Sequence, residues 1–249
     1  MNSILKDRLY LLISIAVLIM LWKFLSLIID SEIMLPSPEK TLIELISIIK
    51  QKTFLRAVFN TIFRSLTGFF ISLILAVIIG ILSGIFKPVH YIFKPIVGII
   101  KSTPSIAIIL LSLIWLGSEY TPILVGFLII FPILYSNIIE GIRNVDEDLI
   151  EMANIYKVKK WRIIKEIYFP SILSYLMAGA VTCLGLNLKV VIAAEVLSQS
   201  VVSIGEGLQF EKYNLNTAGV FSWVIIAVII SAIFDYSLLK LQNRIEKWK

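Results

Sequence analysis

Three polar side chains stand in an otherwise apolar run late in the chain: Asn187, Lys189 and Glu195. Ionisable groups at membrane depth are costly, and they usually face a bundle interior or a cavity. Lys189 and Glu195 are six residues apart, about 120° around a helix, so each calls for a partner of its own. Lys189 has the charge to attract an anion in transit. A structural ion pair is the preferred reading for both, narrowly for Lys189 and more firmly for Glu195, which falls near the outer end of the run. A second polar set, Ser102, Thr103 and Ser105 around Pro104, interrupts another apolar run. Proline removes one backbone hydrogen bond, and the neighbouring hydroxyls can satisfy the freed groups. Either this stretch lines a pathway or it marks a kinked, buried helix. No catalytic constellation accompanies these sets. The chain has one histidine, His90, read as a loop residue, and one cysteine, Cys183, read as core filler in an apolar run. No catalytic residue, metal site or cofactor is expected.

The elements that must position these groups are membrane spans. Of 249 residues, 58% are hydrophobic, and the mean hydropathy is +0.92. Soluble domains sit near about 45–50% apolar. The chain therefore reads as an all-α polytopic membrane protein. Six transmembrane helices are expected near 9–29, 66–86, 96–116, 123–139, 172–197 and 218–239, with both termini cytoplasmic. Basic residues in the inferred inner segments, including Lys6, Arg8 and the tail from Lys240, outnumber those outside by more than two to one. The net charge of +6 is thus a topology signal and not a nucleic-acid one. Residues 87–95 read as a basic, proline-broken cytoplasmic loop, 117–122 as an outer turn and 199–216 as an outer loop. Residues 37–50 are amphipathic and too short to span, so they lie on the outer membrane face or pack on the protein itself. Lys23, in the first span, reaches toward an interface or faces a partner helix. Gly80 and Gly84 form a small-xxx-small pair suited to close helix packing.

One polar island, residues 143–170, interrupts this pattern with about a quarter of the acidic residues and a similar share of the basic ones. Asn144 with Glu147 three positions on predicts a capped helix start, with acidic residues in the first turn. Leu149, Met152, Ala153 and Tyr156 recur at i, i+3, i+4 and i+7, giving an apolar face beside Glu151. A second amphipathic helix is expected from Lys160 to Tyr168, with Pro170 opening the fifth span. An exposed apolar strip flanked by charge points to a protein partner, with a surface-bound re-entry helix as the alternative.

Glu151, Ala153 and Pro170 resemble the EAA loop of ATP-binding-cassette importer permeases: Glu-Ala-Ala, a Gly four residues after the second Ala, then a Leu-Pro pair. Here Met152 replaces the first Ala, Phe169 the Leu and Lys157 the Gly. Lysine prefers negative φ, so a longer turn or an extended first helix is expected. Further stretches look similar to the branch serving nitrate, sulfonate, taurine, bicarbonate and thiamine-precursor uptake. They are LPSPEKTL at 35–42, the run Arg64-Ser-Leu-Thr-Gly68-Phe, SLIWLGSEYT, FPILYSNIIEGIRNVD and IAAEVLSQ, together covering about residues 35–240.

The resemblance implies the type I importer permease fold in a bacterial inner (plasma) membrane. The first transmembrane helix would occupy 1–34, an outer elbow and lead-in 35–65, and a five-helix permease core 66–249. It also implies two ATP-binding-cassette ATPase subunits, an extracytoplasmic substrate-binding protein and a second copy of the chain. Asp148, Glu151, Met152, Ala153, Tyr156 and Lys157 would couple to the ATPase; Ser102, Thr103, Ser105, Asn187, Lys189 and Glu195 are the candidate pathway. The chain lacks G-x-x-x-x-G-K-[ST], so ATP hydrolysis is expected of a partner. The implied cargo is a small anion such as a sulfonate, taurine or nitrate, with a thiamine-type pyrimidine precursor as the alternative. A stand-alone secondary transporter would show inverted repeats, and a membrane enzyme would show clustered His, Asp or Cys; neither pattern is found in the sequence.

Overall fold

The computed structural model describes residues 2–246. The side chains of Lys6 and Arg8, and residues 247–249 of the basic tail, lie outside the described residues. All regular elements described are helical: α1 (Asn2–Ile29), α2 (Pro38–Lys50), α3 (Phe54–Ile85), α4 (Lys87–Ser102), α5 (Ser105–Arg143), α6 (Glu147–Ile155), α7 (Lys160–Ile163), α8 (Phe169–Ser198), α9 (Ile204–Tyr213) and α10 (Thr217–Glu246). A single π turn, Ile164–Tyr168, joins α7 to α8. Among the described residues four helical stretches are long and apolar enough to cross a membrane: 54–85, 105–143, 160–198 and 217–237. A shorter apolar stretch runs from Ile13 to Ile29.

The core is built from α3, α5 and α8. Phe69, Ala76, Ile130, Leu134, Ile138, Cys183 and Leu184 share its central cluster. Gly80 and Gly84 face α5, where a Cβ would meet Ile138 at 2.9 Å and Ile142 at 2.2 Å, so the small-residue pair serves internal packing. A second cluster joins Ile48 of α2 to Leu188 and Ile192 of α8, Ile204 of α9 and Trp223 of α10. α2 therefore packs one face on its own chain, with Ser222 Oγ donating to the Thr41 carbonyl at 2.8 Å. Leu42, Ile43, Ile46 and Ile49 remain exposed on the other face. Ser37 caps α2 by accepting from Lys40 N, and Pro38 occupies its first turn. Lys23 pairs with Glu39 of α2 at 2.8 Å, choosing the helix-partner reading.

Several expected boundaries move. Residues 87–95 are no loop: they form the first part of α4, with Pro88 in the first turn and Pro95 inside. The third expected span is not one helix. α4 stops at Ser102, Thr103 is extended (ψ 127°), and Pro104 starts a new helix. A residue before proline is pushed out of the helical region, and this breaks the run where only a kink was expected. The second span begins at Phe54, earlier than expected. The outer turn narrows to one residue, Gly117, at φ 70° and ψ 179°. There α5 folds back on itself, so that Ile108 and Ile109 of its first arm share a cluster with Val125 of its second. Pro122 lies within the second arm. Residues 204–213 of the expected outer loop are helix α9, capped by Ser203. The helix expected to end at Tyr168 instead runs through the π turn into α8. Pro170 has no N–H for the Glu166 carbonyl, and the wider turn before it, with Phe169 N bonded to Ile164 O, absorbs the mismatch.

Candidate functional site

The island forms a compact loop at one end of the bundle, here the loop end; Gly117, Glu195 and α9 mark the opposite, turn end. α6 is capped by Asp146, not Asn144: Asp146 Oδ1 accepts from Asp148 N at 2.9 Å. Asn144 instead terminates α5. Glu147 and Asp148 fill the first turn, where the helix dipole favours them. The expected apolar face divides. Ala153 is buried, while Leu149, Met152 and Tyr156 are exposed together with Glu151. Ile155 and Trp161, both 71% exposed, extend the apolar surface and were not anticipated. Ile155 follows Met152 by three positions, a spacing that could have revealed it.

Lys157 neither lengthens the turn nor extends the helix. It adopts the left-handed conformation, φ 51°, of the glycine it replaces. The helix ends in a Schellman motif: Val158 N donates to Ala153 O at 2.9 Å and Lys157 N to Asn154 O at 3.0 Å. The carbonyls at the end of α6 are thereby satisfied, and the chain reverses directly into α7.

The six candidate pathway residues separate into four places. Ser102 and Thr103 stand at the break between α4 and α5, where both hydroxyls donate to Ile99 O, at 3.0 and 2.8 Å. Ser105 is exposed at the start of α5. Asn187 is fully buried and ties α8 to α3, donating to Ser65 O at 2.6 Å. Its Oδ1 lies 2.6 Å from where a Cβ on Gly126 would stand, so α5 also closes against it.

Glu195 is also fully buried, and its carboxylate is satisfied within the chain. Thr61 Oγ1 donates to both of its oxygens at 3.0 and 2.8 Å, Arg64 Nη1 to Oε1 at 3.0 Å and Gly205 N to Oε2 at 3.3 Å. Arg64 Nη2 turns to Glu119 Oε2 at 2.7 Å. One guanidinium thus holds α3, α8 and the residues after the Gly117 turn together, the structural role preferred for Glu195. Arg64 and Glu119 were not singled out for this role. The available signal was an arginine in a helix that must cross a membrane, which calls for a carboxylate at the same depth.

Lys189 is exposed on α8 and makes no ion pair among the described residues. It shares a cavity of about 460 Å³ with Asp235 of α10, lined also by Leu188, Ile192 and Ser231. His90 lies in α4 and not in a loop. Its Nε2 is 3.2 Å from Arg143 Nη2, and burial, then Arg143 and Lys94, hold its titration below the usual histidine range.

Comparison with known proteins places this geometry. Residues 74–247 match the family model described as binding-protein-dependent transport system inner membrane component. Over 236 residues the chain is 26% identical to SsuC of Bacillus subtilis (strain 168), provisionally named an aliphatic sulfonates transport permease protein. That alignment covers 94% of this chain and 85% of SsuC. It is 26% identical over 233 residues to the taurine transport system permease protein TauC of Escherichia coli (strain K12), covering 91% and 84% of the two chains. A chain of the MetNI methionine ABC transporter, solved in inward-facing conformations, superposes with a TM-score of 0.67 at 14% identity, covering 78% of this chain and 96% of that one.

Proposed function

The chain belongs to the family of binding-protein-dependent transport system inner membrane components, and from that premise we propose that it forms half of the translocation pathway of an ATP-driven importer for a small anion. As an importer permease it is membrane-embedded, works with ATPase and substrate-binding partners, and is not itself an enzyme. The finer reading has two copies of the chain over two ATPase subunits, with the loop end cytoplasmic, both termini cytoplasmic and six passages through an inner membrane. The binding protein delivers cargo at the turn end. A sulfonate, taurine or nitrate is the favoured cargo, since SsuC and TauC are named for sulfonates and taurine.

The observation that carries the docking role is α6 itself. It presents Leu149, Met152, Ile155 and Tyr156 to solvent beside Glu151, at the end of a helix held by a side-chain cap and a Schellman turn. In this reading Glu151 pairs with a basic residue of the ATPase, Asp148 and Lys157 flank the contact, and the small Ala153 lets α6 lie close. ATP-driven movement of the ATPases shifts α6 and turns the pathway outward. Ser102, Thr103, Ser105 and Lys189 are placed on the pathway, while Asn187 and Glu195 fasten the helices around it. The test is copurification with the ATPase subunit, followed by Glu151→Ala. The variant complex should assemble yet lose substrate-stimulated ATP hydrolysis; normal hydrolysis and uptake would remove Glu151 from the coupling contact.

A further inference from the structure

α4 carries a charge pattern that docking through α6 does not use. Lys87, His90, Lys94 and Lys101 fall within an arc of about 60° on one helix face, along a line of about 21 Å. The line follows the edge of α4 that meets the bundle, where Val97 is buried and Phe93 is packed on the core. Across the groove, α5 supplies Arg143 beside His90 and Ser136, whose Oγ accepts from Lys101 Nζ at 2.8 Å. Glu140 is the acidic residue on the α5 face between Ser136 and Arg143. Among the described residues no carboxylate lies within ion-pair distance of any of these cations.

His90 sharpens the pattern. A guanidinium only donates, so Nε2 must accept from Arg143 and the ring proton of a neutral imidazole resides on Nδ1. Nδ1 is buried and has no hydrogen-bond partner. The groove therefore holds a shielded N–H donor without an acceptor, among four cations opposed by one carboxylate. Ordinary flanking of a span by basic residues explains Lys87 near the start of α4. It does not explain Lys101 at the far end, turned to the same groove beside the Ser102–Pro104 break.

We propose that the α4 stripe with Arg143 is an oxyanion-binding site, in which the anion sits between Lys94 and Arg143 and the imidazole turns its Nδ1–H to an anion oxygen. The shared chemistry is a sulfonate, sulfate or phosphate group. Its source is either free anion released along α4 or the headgroup of an anionic lipid.

His90 is the only histidine in the chain, so one imidazole signal reports on the site. The experiment uses the full chain, ¹⁵N-labelled at histidine and free of a histidine tag, in lipid nanodiscs. In phosphatidylcholine discs, sulfate and ethanesulfonate should shift the signal saturably and raise the pH at which it titrates, while sodium chloride at equal ionic strength should not. Lys94→Gln should weaken the response about fivefold, the upper end for an exposed charge pair, and Lys94→Arg should restore it. Arg143 of α5 touches the ring and Lys94 of α4 acts on it, while Lys87 lies three residues before His90 on α4 and Glu140 three before Arg143 on α5, so His90→Asn with a labelled Arg143 side chain gives a second readout. Response to phosphatidylglycerol discs alone would support the site and assign it to lipid. No response to either source, an equal response to chloride, or a response unchanged in Lys94→Gln would overturn it. Docking is read separately from ATP hydrolysis in Glu151→Ala, so failure of one leaves the other standing.

Discussion

Lys157→Gly should stabilise the turn that ends α6. The residue sits at φ 51°, and its amide and that of Val158 close the Schellman motif at 3.0 and 2.9 Å. A side chain with a Cβ costs about 1–2 kcal/mol in the left-handed region. Glycine relieves that strain but returns about 0.4–1 kcal/mol through the freer unfolded chain. The net gain is about 0.5–1 kcal/mol, or about two- to fivefold in the local opening equilibrium. Amide hydrogen exchange at Val158 measures this opening directly, once intrinsic rates are corrected for sequence. Exchange should slow by that factor in Lys157→Gly and slow less in Lys157→Asn, since asparagine tolerates this conformation. In Lys157→Val it should accelerate. The lysine charge is lost in all three, so the ordering reports backbone geometry and not electrostatics. Equal exchange in the glycine and valine variants would refute a left-handed Lys157 and reopen the longer turn.

Three further outcomes follow from other parts of the molecule. Arg64→Met leaves Glu195 buried without its countercharge, a change that costs about 3–5 kcal/mol in buried pairs. The thermal midpoint in detergent should drop sharply, and the double variant Arg64→Met with Glu195→Gln should recover much of it. Lys189→Met should lower uptake by reconstituted vesicles more than it lowers assembly of the complex; unchanged uptake kinetics would take Lys189 off the pathway. Glu211, buried at the end of α9 and accepting from Asn216 Nδ2 at 2.8 Å, is held above the usual carboxylate range by burial, with Glu44 adding to the effect. A raised folded value favours the fold below the unfolded value near 4.5 and withdraws that favour as pH rises through the folded one. Glu211→Gln should therefore gain thermal stability over the parent chain as pH climbs above that range, and a constant difference across pH would contradict this.

Hydropathy made the long helices legible because a bilayer demands long apolar runs whatever they pack against. It placed the reversal within Ser105–Arg143 at an outer turn over 117–122, but could not narrow it to Gly117 alone, since the polar and proline residues that follow look like a loop until the backbone shows them helical. The Ser102–Ser105 interruption was visible, but its severity depends on backbone angles at Thr103. The island's helix, its acidic first turn and its reversal were readable from charge and period. Its cap was misplaced by two residues because Asn144 and Asp146 are both good cap formers, and only the end of α5 decides between them. The missing glycine at 157 suggested a different turn, yet the rest of the loop imposes the same conformation on lysine. Arg64 was seen as part of a family stretch, whereas its two carboxylates, 55 and 131 residues away, belong to tertiary structure alone.

The π turn ahead of Pro170 gives α8 the mechanics of a jointed lever. From Lys160 to Ser198 the chain is helical throughout, with its one irregular turn at Ile164–Tyr168. The far arm is pinned at Glu195 by Thr61, Arg64 and Gly205. From pin to joint is about 40 Å, so a swing of about 10° around the pin carries the joint about 7 Å sideways. In the proposed coupling, a push at α6 and α7 would reach this irregular turn before it reaches the long arm packed on α3 and α5. Under that coupling the largest displacement would fall at the end nearest the push, while the end clamped at Glu195 would turn in place.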